Sequence, residues 1–145
     1  MSDIREKPRL ELVRRIAASP AAVFAAWTEP EKLARWFGPN GAEVVSAEID
    51  ARAGGRFHVV FRTPDGESHD VSGTYREFIA ASRLVFTWQW ITMPERRSLV
   101  TVLIEPEGTG TSLTLRHEQF FDEAARDRHV FGWTGALDKL EAFLA

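Results

Sequence analysis

DEAARDRHVFGWTGALDKLEAFLA, Asp122 to Ala145, is the stretch whose reading decides the fold. Val130, Trp133, Leu137, Leu140 and Leu144 recur at spacings of three and four, an apolar stripe on one face of a helix. Asp122 suits the N-cap, and Glu123 suits the positive end of the helix dipole. Such a helix would be roughly 36 Å long at 1.5 Å per residue. A helix of that length needs a broad partner surface, and the chain before it reads almost entirely as strand. A curved antiparallel sheet gripping one long terminal helix often leaves a cavity between the two. The functional question is what occupies it.

Working back from the helix, the strands are short and divided by turn signals. Glu43–Ile49 precedes a turn or bulge at Ala53-Gly54-Gly55. Arg56–Arg62 alternates, with Phe57, Val59 and Phe61 on one face. Pro64-Asp65-Gly66 turns the chain towards Val71–Ile79. Leu84–Ile91 follows, with Leu84, Phe86, Trp88 and Trp90 in phase. Thr92–Arg96 is a loop. Leu99–Glu105 and Ser112–Glu118 flank Gly108-Thr109-Gly110, and Leu113, Leu115 and His117 share a face. Near the start, Leu10–Arg15 reads as a strand whose inward face is ambiguous. Ser19-Pro20 opens a helix carrying Val23, Phe24 and Trp27. Pro30 opens a second short helix with Leu33, Trp36 and Phe37 on one face, stopped by Gly38-Pro39. The order β-α-α-β-β-β-β-β-β-α specifies an α+β domain, a meander of hairpins with its helices on one side. Residues 1–8 are expected to be loose, and residues 9–145 to form a single domain.

Length and composition narrow the function. A chain of 145 residues with 44% apolar and 27% charged residues suits one core. The net charge is −3, and Arg14-Arg15 and Arg96-Arg97 are isolated pairs, so nucleic acid is not an expected partner. There is no cysteine, which removes disulfides, thiolate metal sites and cysteine nucleophiles. His58, His69, His117 and His129 show no H-x-H or H-E-x-x-H spacing, so no metal is expected. No G-x-S-x-G elbow is present, and Gly54-Gly55 lacks the Lys-Ser/Thr of a phosphate loop. No cofactor is implied. The polar N-terminus has no secretory h-region, and no apolar run reaches 18 residues. A cytoplasmic protein without membrane insertion is the expectation.

Several clusters in order carry a family resemblance. Ser19-Pro20-Ala21-Ala22-Val23-Phe24 leads to Trp27, and Pro30-Glu31-Lys32-Leu33 leads to Trp36-Phe37-Gly38-Pro39. Gly54-Gly55-Arg56-Phe57 follows, then Gly73–Phe78 before Arg83–Trp88. Gly110–Leu115 leads to Phe120, and Gly132-Trp133 precedes Leu137 and Leu140. This ordered set, over about residues 9–145, resembles the homologues of the activator of heat-shock protein 90 ATPase. These belong to the START-like, birch-pollen-allergen-like (SRPBCC) superfamily. The resemblance implies a helix-grip fold: a curved antiparallel sheet around a long C-terminal helix, with two short helices after the first strand. Members of the superfamily bind sterols, lipids, polyketides or plant hormones, and a minority are enzymes. The co-chaperone that names the family depends on an extra N-terminal domain, for which these 145 residues leave no room. A chaperone partner is therefore not expected, while a homodimer stays open.

The candidate site follows from the aromatic content, ten Phe, five Trp and one Tyr. Phe57, Phe61, Phe86, Trp88, Trp90 and Trp133 can line an apolar pocket for a lipid-like or aromatic ligand, or simply fill the core. Trp90 lies nearest the 92–96 loop and so nearest a pocket mouth. Leu137 faces the same space from the terminal helix. Trp36 belongs to a segment, Trp36–Pro39, that reads either as a gate over the entrance or as an anchored helix stop. His117 is the best polar candidate, either a ligand contact and acid–base group or a satisfied core histidine. Tyr75 is expected inward. Glu77 joins it if that face of the strand is inward; otherwise Thr74 and Arg76 would turn in. Gly132 and Gly135 each weaken the helix by about 1 kcal/mol, for ligand space or for close packing, with packing favoured. The function expected is binding of a small hydrophobic or amphipathic molecule. The alternatives are a cyclase- or hydrolase-like enzyme using His117 with Tyr75 or Glu77, and a stress-linked protein-interaction module.

Overall fold

The computed structural model describes residues 7–145. Of the segment expected to be loose, residues 1–6 lie outside the described residues. Pro8 lies within them, and its carbonyl accepts from the Phe120 N–H at 3.2 Å. Ten elements follow: β1 (Leu10–Ile16), α1 (Pro20–Thr28), α2 (Pro30–Leu33), β2 (Glu43–Ile49), β3 (Arg56–Arg62), β4 (Ser68–Ile79), β5 (Arg83–Trp90), β6 (Ser98–Glu107), β7 (Gly110–Glu118) and α3 (Glu123–Leu144). The seven strands make one antiparallel sheet in the order β1-β7-β6-β5-β4-β3-β2. Register shifts between Val44 and Ser46 and between Tyr75 and Glu77 are bulges, which increase twist and help the sheet curl.

The helices begin where their chemistry dictates. Ser19 Oγ accepts from the Ala22 N–H at 3.2 Å, and Pro20 takes the first position of α1. Pro30 pushes Glu29 into extended backbone (φ −97°, ψ 120°), which separates α1 from α2. The second helix is shorter than its apolar spacing suggests. Regular helix ends at Leu33, and three-residue turn bonds from the Arg35 and Trp36 N–H groups to Lys32 and Leu33 carry the chain on. Gly38 then reverses it at φ +91°, a conformation that favours glycine.

The long helix α3 is capped by Asp122, whose Oδ1 accepts from the Ala125 N–H at 2.8 Å. Trp133, Leu137 and Leu140 of its stripe are buried, with Ala136 beside them, and Val130 and Leu144 are half-buried. Burying a leucine fully stabilises by about 1.5–3 kcal/mol, so the stripe is enough to hold the helix to the sheet. Trp133 stacks at a tilt on Trp88 of β5, 5.2 Å between centroids, and also reaches Trp27 of α1 at 5.9 Å. From the other side Arg14 of β1 bonds Asp138 at 2.8 Å and Glu141 at 2.5 Å. Alternation places Phe57, Val59 and Phe61 inside, with His58 on the other face, paired to Asp70 at 2.8 Å. Val100, Val102 and Ile104 of β6 and Leu113 and Leu115 of β7 complete the core.

Candidate functional site

Alongside this core lies a pocket of about 420 Å³. Its floor and walls include Phe61 of β3, Trp88 and Trp90 of β5, and Ala125, His129, Gly132, Trp133 and Ala136 of α3. The Phe37-Gly38-Pro39 turn closes one side, and the loop after β5 contributes Ile91, Thr92, Met93 and Arg96. Its setting is thus the N-terminal half of α3 against the ends of β3, β4 and β5. The largest exposed apolar side chains there, Ile91, Phe121 and Phe131, stand 66%, 60% and 74% exposed.

The ten residues proposed from sequence divide in two. Phe61, Trp88, Trp90 and Trp133 border this pocket. Trp36, Phe57, Tyr75, Phe86, His117 and Leu137 are buried and do not border it. Trp36 donates its indole N–H to the Ala26 carbonyl at 3.0 Å, an anchor beneath the turn. Phe57, Tyr75 and Phe86 form their own aromatic group, with centroids 5.2–5.8 Å apart. Tyr75 is inward, and burial raises its phenol well above the ordinary value of 10.0. Glu77 does not join it. The bulge after Tyr75 breaks the alternation, and Glu77 lies exposed with its carboxylate 3.0 Å from Arg83 Nε. Thr74 is half-buried and Arg76 exposed, so neither outcome of simple alternation occurs.

Two histidines brace the aromatic wall, His129 at the pocket itself and His117 behind it. Trp133 donates to His117 Nδ1 at 3.0 Å, and His117 Nε2 meets Ser98 Oγ at 2.7 Å. An indole N–H only donates, so Nδ1 holds the lone pair and Nε2 carries the proton. Trp90 donates to His129 Nε2 at 3.1 Å, which leaves His129 Nδ1–H to donate to the Ala125 carbonyl at 2.7 Å. Both imidazoles are therefore neutral. Burial pushes the His117 value well below 6.5, helped by the neighbouring His129, whose ring lies 5.0 Å away. Burial also lowers His129, the Ala125 bond partly offsets this, and Arg128 lowers it further. Functionally the pair sets the rotamers of Trp90 and Trp133, two pocket walls.

Gly132 and Gly135 behave differently. A Cβ built on Gly132 meets nothing within 4 Å, and Gly132 borders the pocket. A Cβ on Gly135 would lie 2.6 Å from Asn40 N, so that glycine permits close approach of α3 to the turn after α2. Packing, the role favoured for both, holds for Gly135 only. Lys139 Nζ donates to the Pro39 carbonyl at 3.0 Å, and desolvation lowers this amine. The Phe37–Asn40 segment is thereby tied to α3 at two points.

Sequence reasoning missed His129, Arg96, Phe121 and Arg128 at the pocket. His129 was within reach, since it lies four residues before Trp133 on the same helical face. Arg96 and Phe121 sit in loops, where no periodicity marks direction. Among the described residues, no group of three or more His, Asp or Glu is placed to hold a metal. No helix among them is long and apolar enough to cross a membrane.

The profile of the family described as Activator of Hsp90 ATPase homolog 1-like protein matches residues 17–145. The chain belongs to this family. A solved member-labelled structure, the AHSA1 protein from Silicibacter pomeroyi, is 33% identical, with 93% of this chain and 96% of that one covered at a TM-score of 0.82. A protein from Chromobacterium violaceum is 26% identical over 94% and 96% of the two chains, with a TM-score of 0.86. One from Nitrosomonas europaea is 26% identical over 97% and 96%, with a TM-score of 0.82. A search of curated proteins returns no match. The family and its helix-grip fold, expected from the ordered motifs, are thus confirmed.

Proposed function

We propose that this family member binds a small hydrophobic or amphipathic molecule in the pocket between α3 and the ends of β3–β5. The observation that carries the reading is the pocket itself. It measures about 420 Å³, within the range of small-molecule sites, and its surface is mainly apolar, with Phe61, Trp88, Trp90 and Trp133 in its walls. The neutral histidines support it, because they fix two indole walls before any ligand arrives, which lowers the ordering cost of binding. Carriage or sensing is favoured over catalysis. Both nitrogens of His117 are spent inside the core, and Glu77 faces away, so the proposed acid–base set does not converge on the pocket.

Native mass spectrometry of the purified chain tests this, followed by extraction of any bound molecule. A discrete added mass lost on denaturation, and absent in Gly132→Leu, supports the pocket. A Cβ at that position meets no atom within 4 Å, and circular dichroism of the variant checks that it is folded. Bare mass, with no thermal shift across a lipid and aromatic metabolite panel, refutes it. A second reading has one observation behind it: Ile91, Phe121 and Phe131 are exposed together at the pocket region, as on a protein-docking face. In that case Gly132→Leu leaves partner binding intact while Phe121→Ser with Phe131→Ser removes it.

A further inference from the structure

We propose that the ligand is an amphipathic carboxylate, its apolar body between Phe61, Trp88 and Trp133 and its negative group at Arg96 and Arg128. This deepens the binding reading and rests on it. Arg96 comes from the loop after β5 and Arg128 from α3, yet both border the same pocket. None of the ion pairs among the described residues involves either arginine. The Arg96 guanidinium lies over the Phe121 ring, 3.9 Å from its centroid. That contact fixes the position of the charge over the ring without neutralising it.

The rest of the wall is short of negative charge. Asp70 is its one carboxylate among the described residues, and Asp70 Oδ1 is taken by His58 Nε2 at 2.8 Å. Two cations against one committed carboxylate give the pocket a positive balance in a chain whose net charge is −3. Hydrogen-bonding character points the same way. Trp90 and Trp133 give their indole N–H groups to histidines, and the two arginines bring donors only. A carboxylate is acceptor-only.

Isothermal titration with three probes of one shape tests the charge assignment: 2-naphthoate, 2-naphthalenemethanol and 2-naphthylmethylammonium. The carboxylate should bind about tenfold more tightly than the alcohol, the discrimination expected of two partly exposed charge contacts, and the ammonium most weakly. The double variant Arg96→Gln/Arg128→Gln should erase the preference for the carboxylate while alcohol affinity and melting temperature hold. Equal affinity for carboxylate and alcohol in the native chain overturns the charge assignment and leaves the pocket standing. No binding of any probe, or binding undiminished in Gly132→Leu, overturns the pocket as well.

Discussion

One added methyl group at Gly132 and one at Gly135 should move stability in opposite directions. Both glycines lie inside α3, and replacing glycine by alanine in a helix interior gains about 0.5–1 kcal/mol from backbone entropy. At Gly132 the new Cβ meets no atom within 4 Å, so the whole gain is kept. Its melting temperature should rise by about 2–5 °C for a chain of this size. At Gly135 the Cβ would stand 2.6 Å from Asn40 N and 3.2 Å from Asn40 Cβ. Carbon atoms pack best at about 3.5–4.0 Å, so the turn must shift by nearly an ångström. The obstacle is backbone, and the Lys139–Pro39 bond holds that backbone to the same helix. Overpacking of this kind costs about 1–3 kcal/mol, leaving Gly135→Ala net destabilised despite the helix gain. Because propensity cancels between the two variants, their difference reads the steric term alone. Urea denaturation followed by circular dichroism measures both at one temperature, and equal slopes would confirm that the same transition is compared. Gly135→Ala as stable as Gly132→Ala would refute the close approach of α3 to Asn40.

Two further outcomes follow from the histidine pair. His117 and His129 are held neutral below their ordinary value of 6.5, so the unfolded chain binds more protons than the folded one as pH falls through that value. The histidine contribution to stability should be constant above about pH 7.5 and should fall on acidification below 6.5, by up to about 1.4 kcal/mol per pH unit for each histidine; a flat urea midpoint between pH 7.5 and 5.5 would contradict it. Ser98→Ala leaves the His117 Nε2–H without its 2.7 Å acceptor and should cost about 1–3 kcal/mol by thermal or urea unfolding. A loss under 0.5 kcal/mol would mean the bond contributes little.

Periodicity made much of this fold readable in advance. The stripe from Val130 to Leu144 located α3 within a residue or two, and alternation in Arg56–Arg62 assigned Phe57, Val59 and Phe61 to the interior. What period cannot encode is an interruption of period. The bulge after Tyr75 turned Glu77 outward without sending Thr74 or Arg76 into the core, and no residue type at that point announces it. A similar limit shortened α2, where the apolar spacing of Leu33, Trp36 and Phe37 is met by successive tight turns rather than helix. The pocket was readable in its aromatic half only. Phe61, Trp88, Trp90 and Trp133 were in phase with buried neighbours, whereas Arg96 and Phe121 depend on loop paths set by the finished tertiary structure. The two glycines of α3 looked alike in sequence because their difference is what lies opposite them.

The strand order has a temporal side. On the ribosome β1 is made first, but its ladder partner is β7, whose register joins Leu10 to His117 and Ile16 to Thr111. From β3 onward, every strand pairs with the one just before it. At a synthesis rate of about 5–20 residues per second, β1 waits roughly 5–20 s for its mate, while the successive hairpins can zip within microseconds of emerging. During that interval Leu10 and Ile16, both buried in the finished protein, have no partner strand to join. The seam between first and last strand is then the step during which β1 of a nascent chain stays open to chaperone capture.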